Sequence, residues 1–115
     1  MTYKLINKQL LGIAERNKLN YSYNSICFKL ENDNDKISRL SIVFMTIGTY
    51  AITIEINGDK KYLGRVSDVV TLFLLSVLRD NLDKSFPNAL KEMYHAYKKI
   101  QEIEKELKSY ANSTN

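Results

Sequence analysis

The chain has 115 residues, enough for one domain and one hydrophobic core but not for two. Its 44% hydrophobic and 26% charged residues exclude a disordered or fibrous chain, and its net charge of +4 is too small and too interspersed to demand a nucleic-acid partner. The only cysteine, Cys27, excludes an intramolecular disulfide and fits a reducing, cytoplasmic setting.

At the start of the chain, Tyr3, Ile6, Leu10, Ile13 and Ala14 recur at helical spacing, which predicts an amphipathic helix from Thr2 to about Lys18. Lys4, Asn7, Lys8 and Gln9 break any apolar core of a signal peptide. From Tyr21 to Leu30 the period changes to two. Read as one strand, that segment puts Ile26, Phe28 and Leu30 on one face and Tyr21, Tyr23, Cys27 and Lys29 on the other.

Asn32 to Lys36 reads as a turn, and Ile37 to about Thr46 as a second strand with Leu40, Ile42 and Phe44 inward. The third strand has Tyr50, Ile52, Ile54 and Ile56 alternating with Ala51, Thr53 and Glu55. It runs into Asn57-Gly58, a signal for a two-residue hairpin turn with positive φ at both positions. The fourth strand then pairs Lys60 with Glu55, Tyr62 with Thr53 and Leu63 with Ile52.

Ser67-Asp68 is a helix start, and Val69 to Leu82 is apolar on most sides, which predicts a central buried helix. Its longest apolar run, Val69 to Leu78, is interrupted by Thr71 and Ser76 and falls short of the ~20 residues a membrane span needs. Asp83-Lys84-Ser85 breaks it. A last helix follows from about Pro87 to Ser109, with Leu90, Met93, Tyr97, Ile100 and Leu107 on heptad a and d positions and Glu104 interrupting one of them.

The expected fold is α+β: an N-terminal helix, a four-stranded antiparallel meander, then a helical hairpin packed on one sheet face. Residues 1–110 form the single domain and 111–115 a frayed polar tail.

Catalytic and metal chemistry find little support. His95 is the only histidine, so Glu92-x-x-His95 lacks the second histidine that a di-iron carboxylate site requires. Glu31, Asp33 and Asp35 begin like a calcium loop, yet Lys36 stands where such a loop needs glycine and Ile42 where it needs glutamate. Gly12, Gly48, Gly58 and Gly64 are isolated and form no phosphate loop. The expectation is a non-enzyme without metal or cofactor.

What remains is surface. The sheet face away from the isoleucines is expected to carry Tyr21, Tyr23, Lys29, Arg39, Ser41, Thr53, Lys60 and Tyr62. Tyrosine and arginine are enriched at protein-binding hot spots, which makes Tyr21, Tyr23, Arg39, Lys60 and Tyr62 the candidate partner-binding residues. Aromatic and basic side chains together also suit base stacking, so a small nucleic-acid-binding or transcription-regulatory accessory protein is the alternative. Without a basic run, such binding is expected to be weak and non-specific.

Three segments, Asn24-Ser25-Ile26-Cys27-Phe28-Lys29-Leu30, Ala51-Ile52-Thr53-Ile54-Glu55-Ile56-Asn57-Gly58 and Pro87-Asn88-Ala89-Leu90-Lys91-Glu92-Met93-Tyr94-His95, carry a resemblance to a known group. In their texture the chain resembles the packaging-interference proteins of staphylococcal phage-inducible pathogenicity islands. The resemblance implies a cytoplasmic, non-enzymatic inhibitor encoded by a mobile genetic element, which binds a phage small terminase subunit and blocks DNA packaging. It transfers no functional residue. The chain is expected to act as a monomer or a homodimer, without a membrane.

Overall fold

The apolar positions read from the first seventeen residues gather on one side of a helix, α1 (Thr2–Asn17), where Ile6, Leu10, Ile13 and Ala14 are buried. The computed structural model describes residues 2–32 and 36–113. Five strands follow: β1 (Asn20–Tyr23), β2 (Cys27–Glu31), β3 (Arg39–Thr46), β4 (Thr49–Ile56) and β5 (Asp59–Ser67). They form one antiparallel sheet in the order β1-β2-β3-β4-β5, so the expected meander has one strand more than its sequence suggests. Two helices close the chain, α2 (Asp68–Asp80) and α3 (Phe86–Ser113).

The additional strand comes from Asn24. Its side-chain oxygen accepts hydrogen bonds from the backbone amides of Ile26 at 3.0 Å and Cys27 at 2.8 Å, which folds the segment into a tight turn. The backbone of Asn24 also donates to the Cys27 carbonyl at 3.0 Å. Residues 21–30 are therefore a hairpin, not one strand. Ile26, expected inward, lies in the turn and is exposed.

The second half of the sheet follows its pattern closely. Tyr50, Ile52, Ile54 and Ile56 are all buried. Asn57 and Gly58 both have positive φ, 50° and 87°, as the two-residue turn requires. Glu55 pairs with Lys60 and Thr53 with Tyr62 as expected, but Ile52 pairs with Gly64 instead of Leu63. Leu63 is the extra residue of a β-bulge, and Gly64 takes the positive φ of 80° beside it. The bulge reverses the alternation, which turns Val66 into the core and leaves Arg65 exposed.

The core lies between the helices and the face of the sheet carrying Phe28, Leu30, Leu40, Ile42, Ile52 and Ile54. α1 packs over β1 and β2, while α2 and α3 pack toward β4 and β5. Ser67 caps α2 by accepting from the Val70 amide at 3.2 Å. Asp68, in its first turn, accepts from the Thr2 hydroxyl at 3.3 Å and so ties α1 to α2. α2 is not buried all round: Leu74, Leu75 and Leu78 face the core, but Val69 and Phe73 are exposed.

α3 begins one residue before Pro87 and continues to Ser113, four residues beyond its expected end. Most of the predicted frayed tail is thus helical, and residues 114–115 lie outside the described residues. So do residues 33–35, which include Asp33 and Asp35 of the three carboxylates read against the calcium-loop pattern and fall within the segment read as a turn.

Candidate protein-binding surfaces

The sheet has one face without a helix, and its side chains stand in cross-strand rows. One row runs Glu31, Arg39, Glu55 and Lys60 across β2 to β5. The Arg39 guanidinium lies 2.9 Å from Glu31 and 3.9 Å from Glu55, so its charge is answered from both sides. The next row runs Lys29, Ser41, Thr53 and Tyr62. The short side chains of Ser41 and Thr53 leave a depression of about 160 Å³ bounded by Arg39, Glu55 and Lys60. Tyr62, paired with Thr53, is exposed.

Arg39, Lys60 and Tyr62 therefore share this face, but Tyr21 and Tyr23 do not. Tyr21 lies opposite Leu30 and Tyr23 opposite Phe28. Residues directly opposite in an antiparallel pair project from the same side of the sheet, so both tyrosines belong to the helix-covered face. The expectation that all five residues form one surface is corrected by the hairpin at Asn24.

On that covered face Tyr21 donates a hydrogen bond to the side-chain oxygen of Asn7 on α1. Tyr23 stacks on Phe28 with centroids 5.3 Å apart and meets Tyr3 of α1 at 6.0 Å. Tyr3 reaches on to Phe28 and Phe44, and its hydroxyl donates to the Ser25 carbonyl at 2.9 Å. Burial raises the phenol pKa of Tyr3 and Tyr21, with neighbouring tyrosines adding to both. These rings hold α1 to the sheet.

A second surface was read differently from the sequence. Of the heptad positions assigned to the last helix, Leu90 and Met93 are buried, and Tyr97 turns toward β5, where its hydroxyl donates to the Leu63 carbonyl at 2.5 Å. Gln101 in turn donates to the Tyr97 oxygen at 2.7 Å. The apolar stripe that stays open keeps Leu107 of those positions and adds Ile103 and Tyr110; Ile103, Leu107 and Tyr110 are 56%, 62% and 70% exposed. With Ile100 they follow a spacing of three, four and three, so Glu104 does not interrupt the stripe.

The stripe is open because the two helices differ in length. α2 has 13 residues and α3 has 28, which at 1.5 Å per residue is roughly 20 Å against roughly 42 Å. Residues 101–112 are all exposed. Where the helices still run together, Phe73, Val77, Ala96, Ile100 and Ile103 line a groove of about 380 Å³, with Glu92, His95 and Lys99 on its edge. Val69, one turn before Phe73 on the same helix face, continues the apolar surface and is 73% exposed.

Among the described residues, no three His, Cys, Asp or Glu side chains gather where they could hold a metal ion, and no helix is long and apolar enough to cross a membrane. Cys27 is half-buried in β2 and forms no disulfide. Compared with protein-family models, with characterised proteins and with solved structures, the chain matches none of them.

Proposed function

We propose that this chain is a non-enzymatic protein-binding protein of the interference or inhibitor type, encoded by a mobile genetic element, acting in the cytoplasm, and engaging other protein through the apolar seam of α2 and α3. The observation that carries the reading is the row Val69, Phe73, Ile103, Leu107 and Tyr110, large apolar side chains exposed along one continuous surface. Scattered exposed hydrophobics need no explanation, but a contiguous patch of them marks a surface that protein covers. The phage small terminase subunit is the target that the sequence likeness implies.

The test is capture of a purified small terminase subunit by the immobilised chain, with Leu107→Arg as the variant. The expected result is saturable capture that the variant loses by ~30-fold or more, the weight of one hot-spot residue. Capture left intact by Leu107→Arg removes the seam from the proposal, and no capture at all removes the target.

The second reading, nucleic-acid binding, draws support from Lys29, Lys60 and Arg65, exposed on the open sheet face near Tyr62. Glu31 and Glu55 on the same face weaken it. Binding there is expected to be weak and to fall steeply with salt.

A further inference from the structure

The seam on α3 does not stop where α2 stops covering it. Phe86, Ala89 and Met93 are buried, Ala96 and Ile100 are half-buried, and Ile103, Leu107 and Tyr110 are exposed. All eight stand on the a and d positions of one unbroken heptad register. One half of a coiled-coil face is therefore filled by the chain itself, and the other half has the same chemistry but stays exposed, Ile103 and Leu107 above all.

We infer that a second copy of this chain covers the open half, its α3 lying antiparallel to the first. The inference rests on the reading of the seam as a protein-binding surface and names its occupant. In that register Ile100 packs beside Ile103 of the second copy, and Leu107 lies over Ala96 at the mouth of the groove. The flanking g positions are Lys99 and Glu106, both exposed, and neither forms an ion pair among the described residues. Antiparallel pairing sets each Lys99 beside the other copy's Glu106, twice by symmetry.

A parallel pair would also match charges, Lys99 with Glu104, but it would bring both globular bodies to the same end of the helices. It would leave Phe73 and Val69 uncovered. The antiparallel pair lays the projecting half of each α3 along the other copy's α2, so those two side chains are buried as well. Val69, Phe73, Ile103, Leu107 and Tyr110 together expose on the order of 500 Å² per chain, or roughly 1,000 Å² for two, about what a specific interface needs.

The test is sedimentation equilibrium on the wild-type chain, with circular dichroism to follow the fold. The wild type is expected to be a dimer at micromolar concentration. Leu107→Arg is expected to be a folded monomer, its dissociation constant raised at least ~30-fold for the loss of a hot-spot residue. Lys99→Glu should weaken the dimer, and Lys99→Glu combined with Glu106→Lys should restore it, because the swap rebuilds the antiparallel pair and not the parallel one. A wild type still monomeric at millimolar concentration overturns the inference, and so does a dimer indifferent to Leu107→Arg. Failure of the double swap to restore pairing overturns the antiparallel arrangement. If the wild type is monomeric while Leu107→Arg loses terminase capture, the self-pairing falls and the proposed function stands; if capture also survives, both fall.

Discussion

Tyr21 and Tyr62 look alike in the sequence and occupy opposite sides of the sheet in the fold, so replacing each with alanine measures the difference. Tyr21 is half-buried, faces α1 and bonds to Asn7. Its replacement removes about half a ring from the core, worth roughly 2 kcal/mol, and leaves the Asn7 oxygen without its donor, worth about 1 kcal/mol more. Tyr62 is 71% exposed, and its loss is expected to cost no more than about 0.5 kcal/mol. With a urea m-value of roughly 1.5 kcal/mol per molar, the unfolding midpoint of Tyr21→Ala should fall by about 2 M and that of Tyr62→Ala by less than about 0.4 M. Tyr21→Phe, which removes only the hydroxyl, should fall between them. Equal midpoint shifts for the two alanine variants would refute the hairpin register that separates them.

Leu74 and Ile54 are both fully buried, in α2 and β4, and each change to alanine should destabilise by about 2–5 kcal/mol; a loss below ~1 kcal/mol by urea titration would contradict the packing. Stability should also fall above pH ~10. Burial raises the phenol pKa of Tyr3, Tyr21, Tyr50 and Tyr97 above the ordinary value near 10, so above that pH the unfolded chain sheds protons that the folded chain keeps. The stabilisation is complete below pH ~10 and declines as pH rises through the folded values, so a urea midpoint unchanged between about pH 9 and pH 11 would show that these phenols are not shifted.

The parts of the fold that could be read from sequence are those in which each residue reports its own neighbourhood. In β4 the alternation from Tyr50 to Ile56 identifies the core directly, and Asn57-Gly58 names its turn through backbone sterics alone. The segment from Tyr21 to Leu30 defeats that logic. Its tyrosines fall on odd positions and Phe28 and Leu30 on even ones, so a single strand must set them on opposite faces. Only a reversal of the chain can bring them together, and the signal for it was one residue, Asn24, whose side chain substitutes for a backbone turn. The bulge at Leu63 hid in the same way: Gly64 marked it, but only the need to bury Val66 and expose Arg65 shows what it does.

The seam was hidden for a different reason. Periodicity shows that a helix has an apolar side, and it cannot show how much of that side a neighbour covers. Here the covering is decided by the excess length of α3 over α2, a relation between two elements and not a property of either. The same excess makes the surface suited to binding. Where α3 leaves the body of the domain, Tyr97 and Gln101 fasten it to the Leu63 carbonyl, on the far side from the groove. The projecting turns therefore continue a helix whose first half is packed in the core. A partner meets apolar side chains already set at helical spacing, and little backbone freedom remains to be lost on association.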